Sequence, residues 1–238
     1  MRNQLIKLFN DNRQSSAAGS GYRVANSAGE EATVYLYDAI GGWWGITAAD
    51  FVKDLAAITA PTIRLHINSP GGDVFDARAM ATAIRNHPSK VVAQIDGLAA
   101  SAATYVALSA DEVEIADGGF FMIHRAWTLA MGNAGELRDT ANLLDKIDAS
   151  ISADYQRKTG ESAEQIDAWM GAETWFTAQE ALDHGFVDRI GASANVENHW
   201  NLSAYAKAPK ALTERQPVSE SVFDHAAMER RLGMLERC

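Results

Sequence analysis

The residues of this chain best suited to chemistry lie in three short segments: Asn68-Ser69-Pro70-Gly71-Gly72-Asp73, Gly97-Leu98-Ala99-Ala100-Ser101-Ala102 and Phe121-Met122-Ile123-His124-Arg125. Ser101 falls in the first turn of a helix of small residues. A hydroxyl there sits beside outward-pointing main-chain N–H groups that can hold a developing negative charge, and the flanking alanines leave room for an acyl group. Read alone, Ser101 is also what a plain helix cap looks like. Gly71 and Gly72 follow a proline and carry no Cβ to keep a ligand away. An N–H of this pair would supply half of an oxyanion hole and the N–H of Ala102 the other half. The alternative is a tight turn into a helix capped by Asp73. A phosphate loop is excluded, because its spacing and its lysine are absent.

Serine chemistry needs a base of near-neutral pKa, and imidazole is the usual one. His124 closes an apolar strand; the bland alternative is a satisfied histidine at a strand end. His66, His87, His184, His199 and His225 fall inside a strand, beside a proline, near a helix end or in the tail. No second His or Cys stands near His124 at ligand spacing, so no metal site is expected. A carboxylate should orient the imidazole. Asp148, Asp154, Asp167 and Glu173 are the candidates, and composition does not choose among them.

These segments need elements to position them. The apolar run Thr33–Tyr37 reads as a strand, and Thr47 caps a helix through Ile58. The strand Ile63–Ile67 leads to a helix from Asp73 to Asn86 with Phe75, Ala79, Ala83 and Ile84 on its buried face. The strand Val91–Ile95 is followed by a turn at Gly97 and a helix from Ala99 to Ser109. Val113 and Ile115 mark a short strand and Phe120–His124 another. This alternation predicts an α/β fold with largely parallel strands. One long amphipathic helix spans Asn133–Thr159, with a capping box at Asn133 and Glu136 and a stop at Gly160. Leu137, Ala141, Leu144, Ile147, Ile151 and Tyr155 form its apolar stripe. Helices at 162–170 and 178–184 and a final short strand complete the domain. We divide the chain into an N-terminal arm (1–30), a catalytic domain (31–195) and a C-terminal linker with a docking helix at Val222–Leu235 (196–238). Trp43 and Trp44 fall in a loop.

Composition narrows the function classes. The 238 residues carry 21 basic and 31 acidic side chains, a net charge of −10. That argues against nucleic acid and against an anionic membrane surface as partner. The one cysteine, Cys238, allows no disulfide within the chain, which points to a reducing compartment. With no signal-like or membrane-spanning apolar run, a soluble, cytoplasmic protein is expected.

Together the three segments resemble the ClpP-like serine peptidases, the proteolytic subunit of the Clp proteases, over about Val34 to Ile190. The resemblance rests on Ile67–Gly72 ("INSPGG"), Gly97–Ser101 ("G-x-A-A-S") and Met122–His124 ("M-I-H"). It implies a ClpP/crotonase-like spiral of strand–strand–helix units with a handle-type helix. It also implies peptide hydrolysis through an acyl-enzyme on Ser101, with His124 as base. Thr177-Ala178-Gln179-Glu180-Ala181 matches the family's "[ST]-A-x-E-A" helix start, which puts Glu173 where the family has its aspartate; Asp167 is held in reserve. The Gly-rich segment that follows the histidine in housekeeping members is replaced by Arg125–Asn133, and the C-terminal extension is long. Both features resemble the head maturation proteases of tailed phages and prophages. That branch implies capsid or scaffold substrates and a ring-forming homo-oligomer, with no cofactor and no unfoldase. Two other readings stay open: a catalytically silent shell or scaffold component, and a crotonase-type acyl-CoA enzyme.

Overall fold

The computed structural model describes residues 21–25, 28–41, 45–193 and 200–213. Trp43, Trp44, His199, His225 and the helix expected at Val222–Leu235 lie outside the described residues. Eight strands form one sheet in the order β1 (Arg23–Ala25), β2 (Glu31–Leu36), β3 (Thr62–Ser69), β4 (Lys90–Ala100), β5 (Glu112–Ala116), β8 (Arg189–Gly191), with β6 (Phe120–Ile123) on β4 and β7 (Thr174–Thr177) on β6. Pairing is parallel except at β1–β2 and β6–β7. The mixed α/β class expected from the alternation is what the chain adopts. β1 lies inside the segment read as an N-terminal arm.

β4 organises the sheet. Along one side it pairs with β3; along the other, Val92–Ile95 pair with β5 and Leu98–Ala100 pair with β6. An eleven-residue strand can take both partners because it runs straight through Gly97. The turn expected at Gly97 is therefore corrected: Leu98, Ala99 and Ala100 are fully buried, and burial in the sheet outweighs the local preference of glycine for turns. The helix expected from Ala99 begins only at Ala102.

The helices follow from caps and apolar spacing. α1 (Ala48–Ala56) is capped by Thr47 and buries Phe51 and Leu55. It stops short of Ile58, whose N–H bonds the carbonyl of Leu55. α2 (Val74–Arg85) starts at Asp73, whose carboxylate accepts from the N–H groups of Phe75 and Asp76. Its buried face is Ala77, Met80, Ala81 and Ile84, so the expected face is corrected: Phe75 is 62% exposed and Ala79 is exposed. Met80 and Ala81 carry the helical spacing inward from Ile84, and Phe75 falls off that stripe. α3 (Ala102–Ala107) is wholly buried.

α4 (Ala134–Thr159) has the capping box at Asn133 and Glu136, and Gly160 ends it in the left-handed conformation. At 26 residues it is about 39 Å long. Only Ile151 and Tyr155 of its stripe are buried, while Leu137 and Leu143 are exposed. Its C-terminal half is anchored by Tyr155 among Phe186, Phe121 and Thr104, and its N-terminal half stands clear. α5 (Ala163–Ala172) and α6 (Ala178–Asp183) follow, each with a Ser or Thr cap.

After β8 the chain continues to a short helix, α7 (Lys210–Thr213). On the way, Trp200, Leu202, Ala204 and Tyr205 are buried against Leu98, Ala100 and Met122, a second apolar cluster apart from the main core. This part of the segment read as a linker is a strap packed on the sheet.

Candidate active site

Ser101 and His124 are brought together by sheet register. Ala100 of β4 is paired with Met122 of β6, and the N–H of Ser101 donates to the carbonyl of Met122 at 2.9 Å. One step past Ala100 and two past Met122, the Ser101 hydroxyl and His124 Nε2 lie 2.7 Å apart. The Ser101 carbonyl accepts from the Thr104 N–H at 3.0 Å and from Thr104 Oγ1 at 2.6 Å. Thr104 Oγ1 is in turn 2.7 Å from the Tyr155 hydroxyl. The serine is thus pinned from both sides, at φ 54° and ψ −124°, with no side-chain cap bond. The helix-cap reading of its hydroxyl is corrected: Oγ faces the imidazole.

Positive φ is disfavoured for any residue with a Cβ and persists only where surrounding bonds enforce it. Among the described residues the non-glycines that adopt it are Ser101 and Glu173. Ser101, singled out by type and position, and Glu173, which the family resemblance points to, are therefore the two strained ones among the described residues.

Gly71 lies against the serine. A Cβ built on it would come within 2.8 Å of Ser101 Cβ and 3.0 Å of the Ala102 nitrogen, and its φ is +89°. Only glycine allows that approach. Its N–H donates to Ser69 Oγ at a long 3.2 Å. Gly72 behaves differently. On the side a Cβ would take, its neighbour is the main chain of Ile40, to which it is bridged. Asp73 does cap the following helix, as the tight-turn reading of this segment expects.

The four acidic candidates separate clearly. Asp148 accepts the N–H of Ala126 at 2.7 Å, and burial raises its pKa. Asp154 is paired with Arg157, and Asp167 is held by Arg125 at 2.8 and 2.9 Å on the exposed surface. Glu173 stands beside the histidine. The antiparallel β6–β7 ladder ends with Ile123 paired to Thr174, so His124 leaves it and Glu173 enters it at the same end, and the charge of Glu173 acts on the imidazole.

Yet the Glu173 carboxylate is held elsewhere. It accepts from the N–H groups of Lys207 at 2.7 Å and Ala206 at 3.0 Å, and from Trp175 Nε1 at 3.2 Å. Among the described residues the imidazole makes its hydrogen bond to Ser101 and none to Glu173. Burial pushes the pKa of His124 down to about 4, opposed only in part by the charge of Glu173. Tyr205 packs edge-on against the imidazole with ring centroids 5.5 Å apart, and its hydroxyl donates to the carbonyl of Pro70 at 2.5 Å. Burial and then the charge of Glu173 raise the tyrosine's pKa, with the nearby Ser101 hydroxyl acting against them.

On the other side of the pair a small pocket opens, lined by Val74, Ala77, Tyr105, Ala126 and Ile151, with Ser101 and His124 at its edge. Its lining suits an apolar side chain. Among the described residues no cluster of three or more His, Cys, Asp or Glu could hold a metal, and no helix is long and apolar enough to cross a membrane. Sequence reasoning missed Thr104 and Tyr205. Thr104 gave no signal within a run of small residues. Trp200, Leu202 and Tyr205 were visible as apolar residues in a polar stretch, and that signal went unread.

A serine at positive φ bonded to a strand-end imidazole, beside a glycine turn, is an arrangement suited to serine hydrolysis. The chain belongs to the Clp protease family, whose model matches residues 18–194. It is 31% identical to the ATP-dependent Clp protease proteolytic subunit 1 of Leifsonia xyli subsp. xyli over 134 residues, 56% of this chain and 68% of that protein. It is 26% identical to proteolytic subunit 3 of Rhizobium johnstonii, covering 68% of this chain and 84% of that one. Among solved structures it is similar to a point mutant of ClpP1 from Listeria monocytogenes, at 27% identity and a TM-score of 0.59, over 67% of this chain and 91% of that one.

Proposed function

We propose that this chain is a serine endopeptidase that cleaves peptide bonds through an acyl-enzyme on Ser101. The observation that carries this reading is the 2.7 Å contact between Ser101 Oγ and His124 Nε2 at a strained serine. His124 takes the Ser101 proton as Oγ attacks the scissile carbonyl, then gives it to the leaving amine; water repeats the cycle to release the acyl group. An N–H of the Gly71–Gly72 pair and the N–H of Ala102 receive the oxyanion. Glu173 is the acid that orients the imidazole. The pocket beside Ser101 receives an apolar side chain of the substrate.

The finer reading is processing of capsid or scaffold proteins in a phage or prophage head, in the host cytoplasm or a procapsid. It is supported by the irregular Arg125–Asn133 segment in place of a Gly-rich one and by the C-terminal extension. A ring-forming homo-oligomer, as in the Clp family, is supported by the exposed apolar residues of α4.

Intact-mass spectrometry after treatment with a fluorophosphonate tests the central claim. One adduct is expected on the native chain, none on Ser101→Ala, and a rate at least about a hundredfold lower on His124→Ala. No adduct on any folded form would favour the silent-component reading, which the engagement of Glu173 by Ala206 and Lys207 supports.

A further inference from the structure

The strap from Trp200 to Lys207 touches every part of the site except its pocket. Tyr205 lies on the His124 ring and bonds the carbonyl of Pro70, next to Gly71. Trp200 donates to the carbonyl of Asn68 at 3.2 Å. The main-chain N–H groups of Ala206 and Lys207 hold the Glu173 carboxylate. These contacts do not leave the machinery assembled. Glu173 and His124 adjoin the same end of the β6–β7 ladder, so a side-chain rotation would carry the carboxylate toward Nδ1 once the two N–H donors are gone.

We propose that residues 200–207 are a latch: docked, they keep Glu173 on their own N–H groups and Tyr205 against His124, and undocked they release Glu173 to the imidazole. This rests on the serine peptidase reading above. The energetics suit a switch. The strap has no strand or helix of its own between Trp200 and Lys207, so it is held by side chains and by the two main-chain bonds to Glu173. Burial of four apolar residues and a few hydrogen bonds is opposed by the entropy of ordering eight irregular residues. Each anchor is separable, since Trp200 and Tyr205 bond different carbonyls. The exchange is also balanced in polar groups. Glu173 would trade main-chain donors for the imidazole N–H, and Ala206 and Lys207 would return to water.

Release changes the base itself. A carboxylate brought to Nδ1 favours the imidazolium and raises the pKa of His124 toward the range where general-base catalysis works at neutral pH. The latch therefore predicts a change in pH dependence as well as in rate.

The test compares fluorophosphonate labelling of Ser101 in the full chain with Tyr205→Ala, the milder Tyr205→Phe and Trp200→Phe, and each strap variant combined with Glu173→Gln, folding being checked by circular dichroism. The latch predicts labelling at least about tenfold faster at neutral pH in Tyr205→Ala and a smaller gain in the two mild variants. The pH midpoint should move upward, and Glu173→Gln should abolish both effects. Strap variants that label through Ser101 no faster than the native chain, or a gain that survives Glu173→Gln, would overturn the latch and leave the peptidase reading standing. No labelling of either the native chain or any folded strap variant would overturn both.

Discussion

His124 and Glu173 adjoin the last pair of the β6–β7 ladder at the same end, near enough for the acid's charge to act on the imidazole, and the carboxylate is nonetheless bonded to the N–H groups of Ala206 and Lys207. The acid is in place by register and out of contact by choice of partner. Ser101 and His124, by contrast, are already joined at 2.7 Å, because the Ala100–Met122 pair of β4 and β6 delivers both to the same end of the sheet.

The state of His124 predicts a pH profile. Burial holds its pKa near 4, so the neutral base persists in moderate acid. Labelling of Ser101 in the native chain should hold its plateau to about pH 5 and fall with a midpoint well below the roughly 6.5 of a free histidine. The linkage to stability has a definite sign. Between about pH 4 and 6.5 the unfolded chain binds more protons at this site than the folded one, so stability rises with pH across that window and is lost as pH falls through it. His124→Gln should therefore show less acid destabilisation than the native chain over that window in urea titrations at several pH values.

The two glycines should fail differently. In Gly71→Ala the new Cβ meets the Ala100 carbonyl at 2.5 Å and Ser101 Cβ at 2.8 Å. Ser101 labelling should drop at least about tenfold as the serine is displaced. In Gly72→Ala the clash is with the Ile40 main chain at 1.9 Å. That should appear chiefly as lost stability, on the order of 3 kcal/mol, in chemical denaturation. Equal effects of the two on labelling relative to stability would refute the division of roles.

Thr104 should matter to the nucleophile without touching it. Thr104→Val removes the Oγ1 bond to the Ser101 carbonyl and strands the buried Tyr155 hydroxyl. A loss of about 1–3 kcal/mol in stability is expected, with labelling slowed severalfold. Thr104→Ser, which keeps the oxygen, should restore most of the labelling rate. A stability loss with unchanged labelling would confine Thr104 to packing.

The free part of α4 should govern assembly. Leu137 is 44% and Leu143 51% exposed, on a helix whose N-terminal half stands clear of the domain. Leu143→Glu should shift light scattering toward smaller species while circular dichroism is unchanged. A native chain that scatters as a monomer at micromolar concentration would remove the ring from the proposal.

The elements legible in the sequence were those set by local rules. Thr47, Asp73 and Asn133 read as caps because a short polar side chain satisfies first-turn N–H groups, and all three act as caps. Ser101, His124 and Gly71 were legible because chemistry restricts residue type at strand ends. The buried face of α2 and the strand at Gly97 were not, because each depends on what packs against it.

By itself the sequence determined the α/β class, caps that start helices and the three segments that meet at the candidate site. These depend on residues near one another in the chain. Tertiary structure alone decided that Glu173, not Asp167, stands by His124, since only β6–β7 register brings residues so far apart in sequence to the same end of one ladder. It also decided that Tyr205 lies on the imidazole and that Ala206 and Lys207 hold the acid. Those contacts run through main-chain N–H groups and one aromatic ring, and a main-chain donor leaves no mark on residue identity.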